Sequence, residues 1–188
     1  MRSNKYLLLS VIILCIFGLC MVYSASNVWA QYKFQDSFHY IKHQGIFFLI
    51  GLVLFYIFSR IPISFYHRHA NTLLLITILL LILVIIPGIG SVRNGSRSWF
   101  GIGSFGIQPS EAAKLSLLIF VSKYISVSEK KMTSLWTGIV PILIFPLLIF
   151  GLIMLQPDFG TGFIILCSVI SLLFIAGAPI SLFTIGGL

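Results

Sequence analysis

Acidic residues are nearly absent. Asp36, Glu111, Glu129 and Asp158 are the only four in 188 positions, and charged residues of both signs make up 9% of the chain. A soluble domain carries about 25% charged residues. With 59% apolar residues, too little polar side chain remains to cover a water-facing surface, which excludes an ordinary soluble enzyme and a disordered chain. Cysteine is scarce as well. Cys15, Cys20 and Cys167 lie inside apolar runs, and neither CxxC nor HExxH occurs, so a secreted disulfide scaffold and a zinc motif are excluded. No repeat with a period of about 20–50 residues is present, which removes solenoids.

What the chain does have is long apolar runs. They predict an all-α, polytopic transmembrane helix bundle, a single integral membrane domain over residues 1–188. Six crossings are expected, near 6–26, 44–63, 70–88, 110–127, 136–155 and 162–180. The run Tyr6–Tyr23 is followed by Ser24-Ala25-Ser26, which resembles a signal-peptide cleavage site. It is longer than the usual core of about 7–15 residues, and so reads as a crossing. The fourth segment carries Glu111, Lys114 and Lys123 and is expected to present a polar face.

Twelve Lys and Arg against four acids give a net charge of +8. The cations are scattered between the runs instead of clustered on one face, which points to topology and lipid headgroups and away from nucleic acid. With the N-terminus cytoplasmic, seven cations (Arg2, Lys5, Arg60, Arg68, Lys123, Lys130, Lys131) fall inside and five (Lys33, Lys42, Arg93, Arg97, Lys114) outside. The outer loops are then 27–43, 87–109 and 156–161. Asp36, Glu111 and Asp158 all lie on that side, so chemistry is expected on the outer face. His39 and His43 fall in the first outer loop and His67 and His69 in an inner one. No third ligand type accompanies either pair, and no metal site is expected. Trp29 and Trp136, near crossing ends, read as an interfacial aromatic belt.

Three stretches ask for more than a structural reading. In Asn94-Gly95-Ser96-Arg97-Ser98-Trp99-Phe100-Gly101-Ile102-Gly103, the glycines suit tight turns, and Arg97 offers a planar donor fork for phosphate or carboxylate. An Arg beside a Trp is equally an interfacial anchor. In Ile107-Gln108-Pro109-Ser110-Glu111-Ala112-Ala113-Lys114, Ser110 is expected to cap the helix and Glu111 to sit in its first turn. Lys114 follows Glu111 by three residues on the same helix face. A lysine just inside a membrane helix must snorkel, pair or line a wet cavity. Two readings stand: a Glu111–Lys114 pair that holds the bundle, or Lys114 facing an anionic substrate. In Leu155-Gln156-Pro157-Asp158-Phe159-Gly160-Thr161-Gly162, Pro157 ends one helix, Asp158 can cap the next, and Gly160 and Gly162 allow close packing.

NGSRSWFGIGSFGIQPSEAAKL, MLQPDFGTG and the early MVYSAS resemble signature stretches of the FtsW/RodA/SpoVE (SEDS) family, nearest its division and sporulation branch. In many members an Arg directly precedes the Trp; here Ser98 does, with Arg97 one residue earlier. The resemblance implies a peptidoglycan glycosyltransferase of the bacterial cytoplasmic membrane, polymerising lipid II on the outer face beside a class B penicillin-binding transpeptidase. Its partners would be lipid II, the lipid-linked glycan strand and membrane lipids. It further implies that the family's catalytic Asp lies beyond Leu188. An acceptor hydroxyl would attack the anomeric carbon, and the lipid pyrophosphate would leave. Arg97 and Lys114 suit the leaving charge, with Glu111 holding Lys114 in place. Asp158 has two roles open to it, support of the site or a hold on a divalent cation bridging to the pyrophosphate. A lipid-linked precursor flippase and a non-catalytic division scaffold are the competing readings. Against the first, Ile164–Ala178 offers only Cys167, Ser168 and Ser171 as polar groups at mid-bilayer depth.

Overall fold

A computed structural model describes residues 5–93, 95–101, 106–128 and 134–178. The chain divides into two compact units, Met1–Pro62 and Ile63–Leu188.

The first unit is a pair of packed helices, α1 (Lys5–Phe34) and α2 (His39–Ser59). Of their residues only Ala30 is buried, so their apolar side chains face outward, as lipid-facing surfaces do. The connection is much shorter than the expected loop 27–43. α1 continues for eight residues past position 26, and its 30 residues span about 45 Å, the thickness of a bilayer including its headgroups. Asn27, Gln31 and Lys33 interrupt the apolar run without interrupting the helix, because each is a tolerable helix residue at the interface. His39 and His43 therefore stand on the first turns of α2 and not in a loop. Their rings lie 4.9 Å apart, and His39 stacks on Phe34 at 3.9 Å. In the connection, Asp36 accepts a hydrogen bond from the Phe38 amide at 3.0 Å and an ion pair from Lys42 at 2.7 Å. The Lys42 ammonium and the Phe38 amide hold its carboxyl below the usual carboxylate range.

The second unit runs α3 (Ile63–Ile85), a hairpin of β1 (Ser91–Arg93) and β2 (Ser96–Trp99), α4 (Pro109–Val127), α5 (Val140–Met154) and α6 (Phe159–Ile175). α3 begins seven residues before the expected position 70, so His67 and His69 are helical and do not lie in an inner loop. Pro62 precedes its first residue and leaves only a short turn from α2. A π-helical turn, Leu135–Ile139, leads into α5, and Pro141 occupies the first turn of the α-helix, where its missing N–H costs nothing. α6 starts at Phe159, three residues before the expected start, and ends at Ile175.

The core of this unit is a seam of residues at helical spacing. Leu74 and Leu81 of α3 meet Ala113, Leu117 and Val121 of α4, Ile142, Ile149 and Ile153 of α5, and Ile165, Val169 and Leu173 of α6. α3 and α4 are cross-linked at two levels. Thr77 and Ser116 hydroxyls share a buried hydrogen bond of 2.7 Å, and Lys123 donates to the Asn71 side-chain oxygen at 3.2 Å.

Among the described residues, four helices are long and apolar enough to cross a membrane: Lys5–Phe34, His39–Ser59, Ile63–Ile85 and Trp136–Met154. α6 is apolar over 17 residues, and α4 carries the charges expected of a polar-faced segment. The protein is a multi-pass membrane protein, and its described residues form six α-helices, as the apolar runs predicted.

Candidate functional site

The three informative stretches meet at one end of the second unit. The hairpin supplies the first. Gly95 has φ +83° in the turn between the strands, a conformation that favours glycine. Arg97 pairs across the ladder with Val92, and Trp99 with Ser91, so Ser98 is an extra residue in a β-bulge. The bulge turns Ser98 inward, where it is 1% exposed, and leaves Arg97 half-buried. Arg93, on the facing strand, lies over the Trp99 ring at 4.8 Å. The strands continue through a bridge in which Phe100 and Ile107 exchange amide hydrogen bonds of 2.9 and 2.8 Å.

The second stretch opens α4. Ser110 is not its cap. Pro109 takes the first helical position, so Gln108 is the N-cap residue and Ser110 falls within the first turn. Its hydroxyl is fully buried, with no hydrogen-bond partner among the described residues. The Gln108 side chain is used elsewhere: its amide donates to Asp158 at 2.9 Å. Glu111 and Lys114 form the expected pair at 2.8 Å. Glu111 is the more open partner, its side chain 60% exposed against 25% for Lys114. The stem of Lys114 lines a narrow cleft between α4 and α6 with Leu117, Leu118, Ile165, Ser168 and Val169.

The third stretch joins α5 to α6. Asp158 caps α6 as expected, accepting from the Thr161 amide at 3.2 Å, while its other oxygen takes the Gln108 amide. Gly162 does permit close packing: a Cβ there would lie 2.8 Å from Met154 Cε and 3.0 Å from the Phe150 ring. Gly160 does not, since a Cβ there would meet nothing within 4 Å; it sits on the exposed side of the first turn of α6. Gln156, which the sequence did not single out, is fully buried. Its amide donates to the Leu81 carbonyl at 3.4 Å, and its own main-chain carbonyl accepts from the Ser96 hydroxyl.

The structure thus brings Asp158 onto the α4 entry, sets Glu111 on Lys114, and ties the Arg97 hairpin to the α5–α6 connection. Both Asp158 oxygens are engaged by N–H donors, and no group of three or more His, Cys, Asp or Glu side chains gathers among the described residues.

The family model FTSW_RODA_SPOVE, described as "Cell cycle protein", matches residues 5–187. The chain belongs to this family. It is 44% identical to stage V sporulation protein E of Bacillus subtilis (strain 168) over 100% of its own length and 52% of the relative's. It is 33% identical to the "Probable peptidoglycan glycosyltransferase FtsW" of Saccharophagus degradans, over 97% of its own length and 47% of the relative's. Its fold matches a chain in the structure of a peptidoglycan synthase complex that coordinates polymerization and crosslinking. There the TM-score is 0.70 at 26% identity, covering 92% of this chain and 49% of that one. The chain spans about half the length of the relatives it matches.

Proposed function

We propose that this chain forms the lipid-pyrophosphate-binding part of a peptidoglycan glycosyltransferase. The enzyme would polymerise lipid II on the outer face of the bacterial cytoplasmic membrane, in division or sporulation. The observation that carries this reading is the convergence of the Arg97 hairpin, the α4 entry that bears the Glu111–Lys114 pair, and the capped α5–α6 connection at one end of the bundle. Family membership and relatives named for the same activity support it.

In the reaction, the anomeric carbon–oxygen bond of the lipid-linked donor breaks as the acceptor hydroxyl attacks. Negative charge collects on the leaving pyrophosphate. Cations held in place before that moment stabilise it without further reorganisation. Lys114 is a point charge whose direction Glu111 limits, and Arg97 is a planar fork. Asp158 acts on this site through Gln108, by fixing where α4 begins. None of these residues is proposed as the base that takes the acceptor proton.

A class B penicillin-binding transpeptidase is the proposed partner, in keeping with the synthase complex that the fold resembles. The N-terminus is proposed to be cytoplasmic, on the bias of seven cations against five. Single cysteines at Ile107 and Ser128, in a background lacking Cys15, Cys20 and Cys167, test that orientation. Impermeant maleimide should reach the first from outside and the second only after permeabilisation, and the reverse pattern refutes it. For the activity, the intact protein with Arg97→Ala should show a raised KM for lipid II in a chain-extension assay. Wild-type kinetics in both Arg97→Ala and Lys114→Met would remove the reading.

A further inference from the structure

The connection between α5 and α6 contains the least expected polar group in the molecule. Gln156 is 0% exposed just past the end of α5, and its Oε1 has no hydrogen-bond partner among the described residues. A buried amide with an orphaned acceptor loses stability relative to an apolar side chain of the same shape. Its contribution must therefore be sought in geometry.

The geometry is a chain of contacts across three elements. The Gln156 amide reaches the main-chain carbonyl of Leu81 in α3 at 3.4 Å. Its main-chain carbonyl accepts the Ser96 hydroxyl of β2. Ser96 and Ser98 hydroxyls then lie 2.9 Å apart inside the hairpin, so Ser98, buried in the bulge, joins the same path. Arg97 stands between those two serines. Its stem is confined from the other side by Gly90: a Cβ at Gly90 would strike the Val84 carbonyl of α3 and would lie 3.1 Å from Arg97 Cγ.

We propose that Gln156 and Ser96 are positioning residues for Arg97. The polar path from Leu81 through Gln156 to Ser96 holds β2 against the end of α3, and with Gly90 it sets the one direction from which Arg97 leaves the hairpin. This rests on the reading of Arg97 as a contact to the lipid pyrophosphate, and the test below separates the two.

The test uses the intact protein in lipid nanodiscs, with Cys15, Cys20 and Cys167 replaced by Ala and Ser98→Cys as reporter. Ser98 is 1% exposed, so its thiol reacts with maleimide only when the hairpin lifts from α3. Loss of one hydrogen bond from the path should raise that rate about 2- to 10-fold. Both Ser96→Ala and Gln156→Met should do so, and Ser96→Thr, which keeps the hydroxyl, should not. Should Gln156→Met fail to accumulate, Ser96→Ala breaks the same path from the hairpin side. In lipid II extension assays without the reporter, Ser96→Ala should raise KM with kcat retained. Added to Arg97→Ala it should have no further effect, because both act through one side chain. Parent labelling rates in both Ser96→Ala and Gln156→Met overturn the proposal, as does full additivity of Ser96→Ala with Arg97→Ala. A normal KM in Arg97→Ala sinks only the reading of Arg97 as a pyrophosphate contact, and the labelling rates still decide whether the path positions the hairpin.

Discussion

Lys114 reaches back one turn of α4 and sets its ammonium 2.8 Å from Oε1 and 2.8 Å from Oε2 of Glu111. The pair is open on the Glu111 side and closed on the Lys114 side, where the lysine stem lies in the cleft against α6. A purely structural pair and a substrate-binding cation both fit that geometry, and mutation separates them.

If Lys114 meets pyrophosphate, Lys114→Met should keep abundance and lose extension of lipid II. A charge-assisted contact is worth about 1.5–3 kcal/mol, or roughly 10- to 150-fold at about 1.4 kcal/mol per decade. Lys114→Arg should recover only part. If the pair is structural, Lys114→Met strands the carboxylate and lowers abundance, and Glu111→Gln with Lys114→Met restores both abundance and activity. An active double mutant is the result that ends the substrate role.

Gly162 and Gly160 should respond in opposite ways. Gly162→Leu forces the Phe150 ring and Met154 aside and should cost about 1–3 kcal/mol by overpacking. Gly160→Ala meets open space and should be neutral or gain up to about 1 kcal/mol from helix propensity. Thermal unfolding of the purified protein measures both, and equal shifts would contradict the packing of α5 on α6.

Asp158 holds two donors, so its replacements should be graded. Asp158→Ala removes the α6 cap, at about 0.5–2 kcal/mol, and also strands the Gln108 amide. Asp158→Asn retains an acceptor oxygen for the cap and should lose less. If Gln108→Ala lowers stability equally in the wild-type and Asp158→Ala backgrounds, the link between the two residues is not formed.

Asp36 governs the turn between α1 and α2. Its folded-state pKa is depressed by Lys42 and the Phe38 amide. Its contribution is therefore present above the ordinary Asp range and is lost as pH falls through the lowered, folded-state value. Lys42→Met should move the titration back up toward the ordinary value, and NMR of the Asp36 carboxyl reads this directly. An unshifted titration would mean that the ion pair does not persist in solution.

The parts of this fold that were legible in the sequence are those set by local spacing. The six helices follow from apolar runs, the Glu111–Lys114 pair from a three-residue offset, and the α6 cap from Asp158 standing at a helix entrance. The hairpin was not foreseen because strands of three and four residues are too short to show a period of two. The available signal was Asn94-Gly95, a tight-turn pair between two short polar-flanked segments. Ser110 misled because an N-cap residue and one two positions further on look alike until Pro109 is counted as the first helical residue. Gln156 had no signal at all: between Leu155 and Pro157, a buried amide and a solvated one read the same.

The two cross-links between α3 and α4 act as a ruler. Asn71 and Thr77 are six residues apart on one helix, and Ser116 and Lys123 seven apart on the other. At about 1.5 Å per residue the two intervals are about 9 and 10.5 Å, so antiparallel rungs can close together at a single vertical setting. An interhelical side-chain hydrogen bond in a membrane is worth only about 0.6 kcal/mol on average, too little to hold the helices together. What the rungs supply is register. A one-residue slip of α4 breaks both and displaces Lys114, two residues from the Ser116 rung, by about 1.5 Å along the helix axis. The position of that ammonium along the bundle is thus calibrated by a pair of hydroxyls and an amide that never touch it.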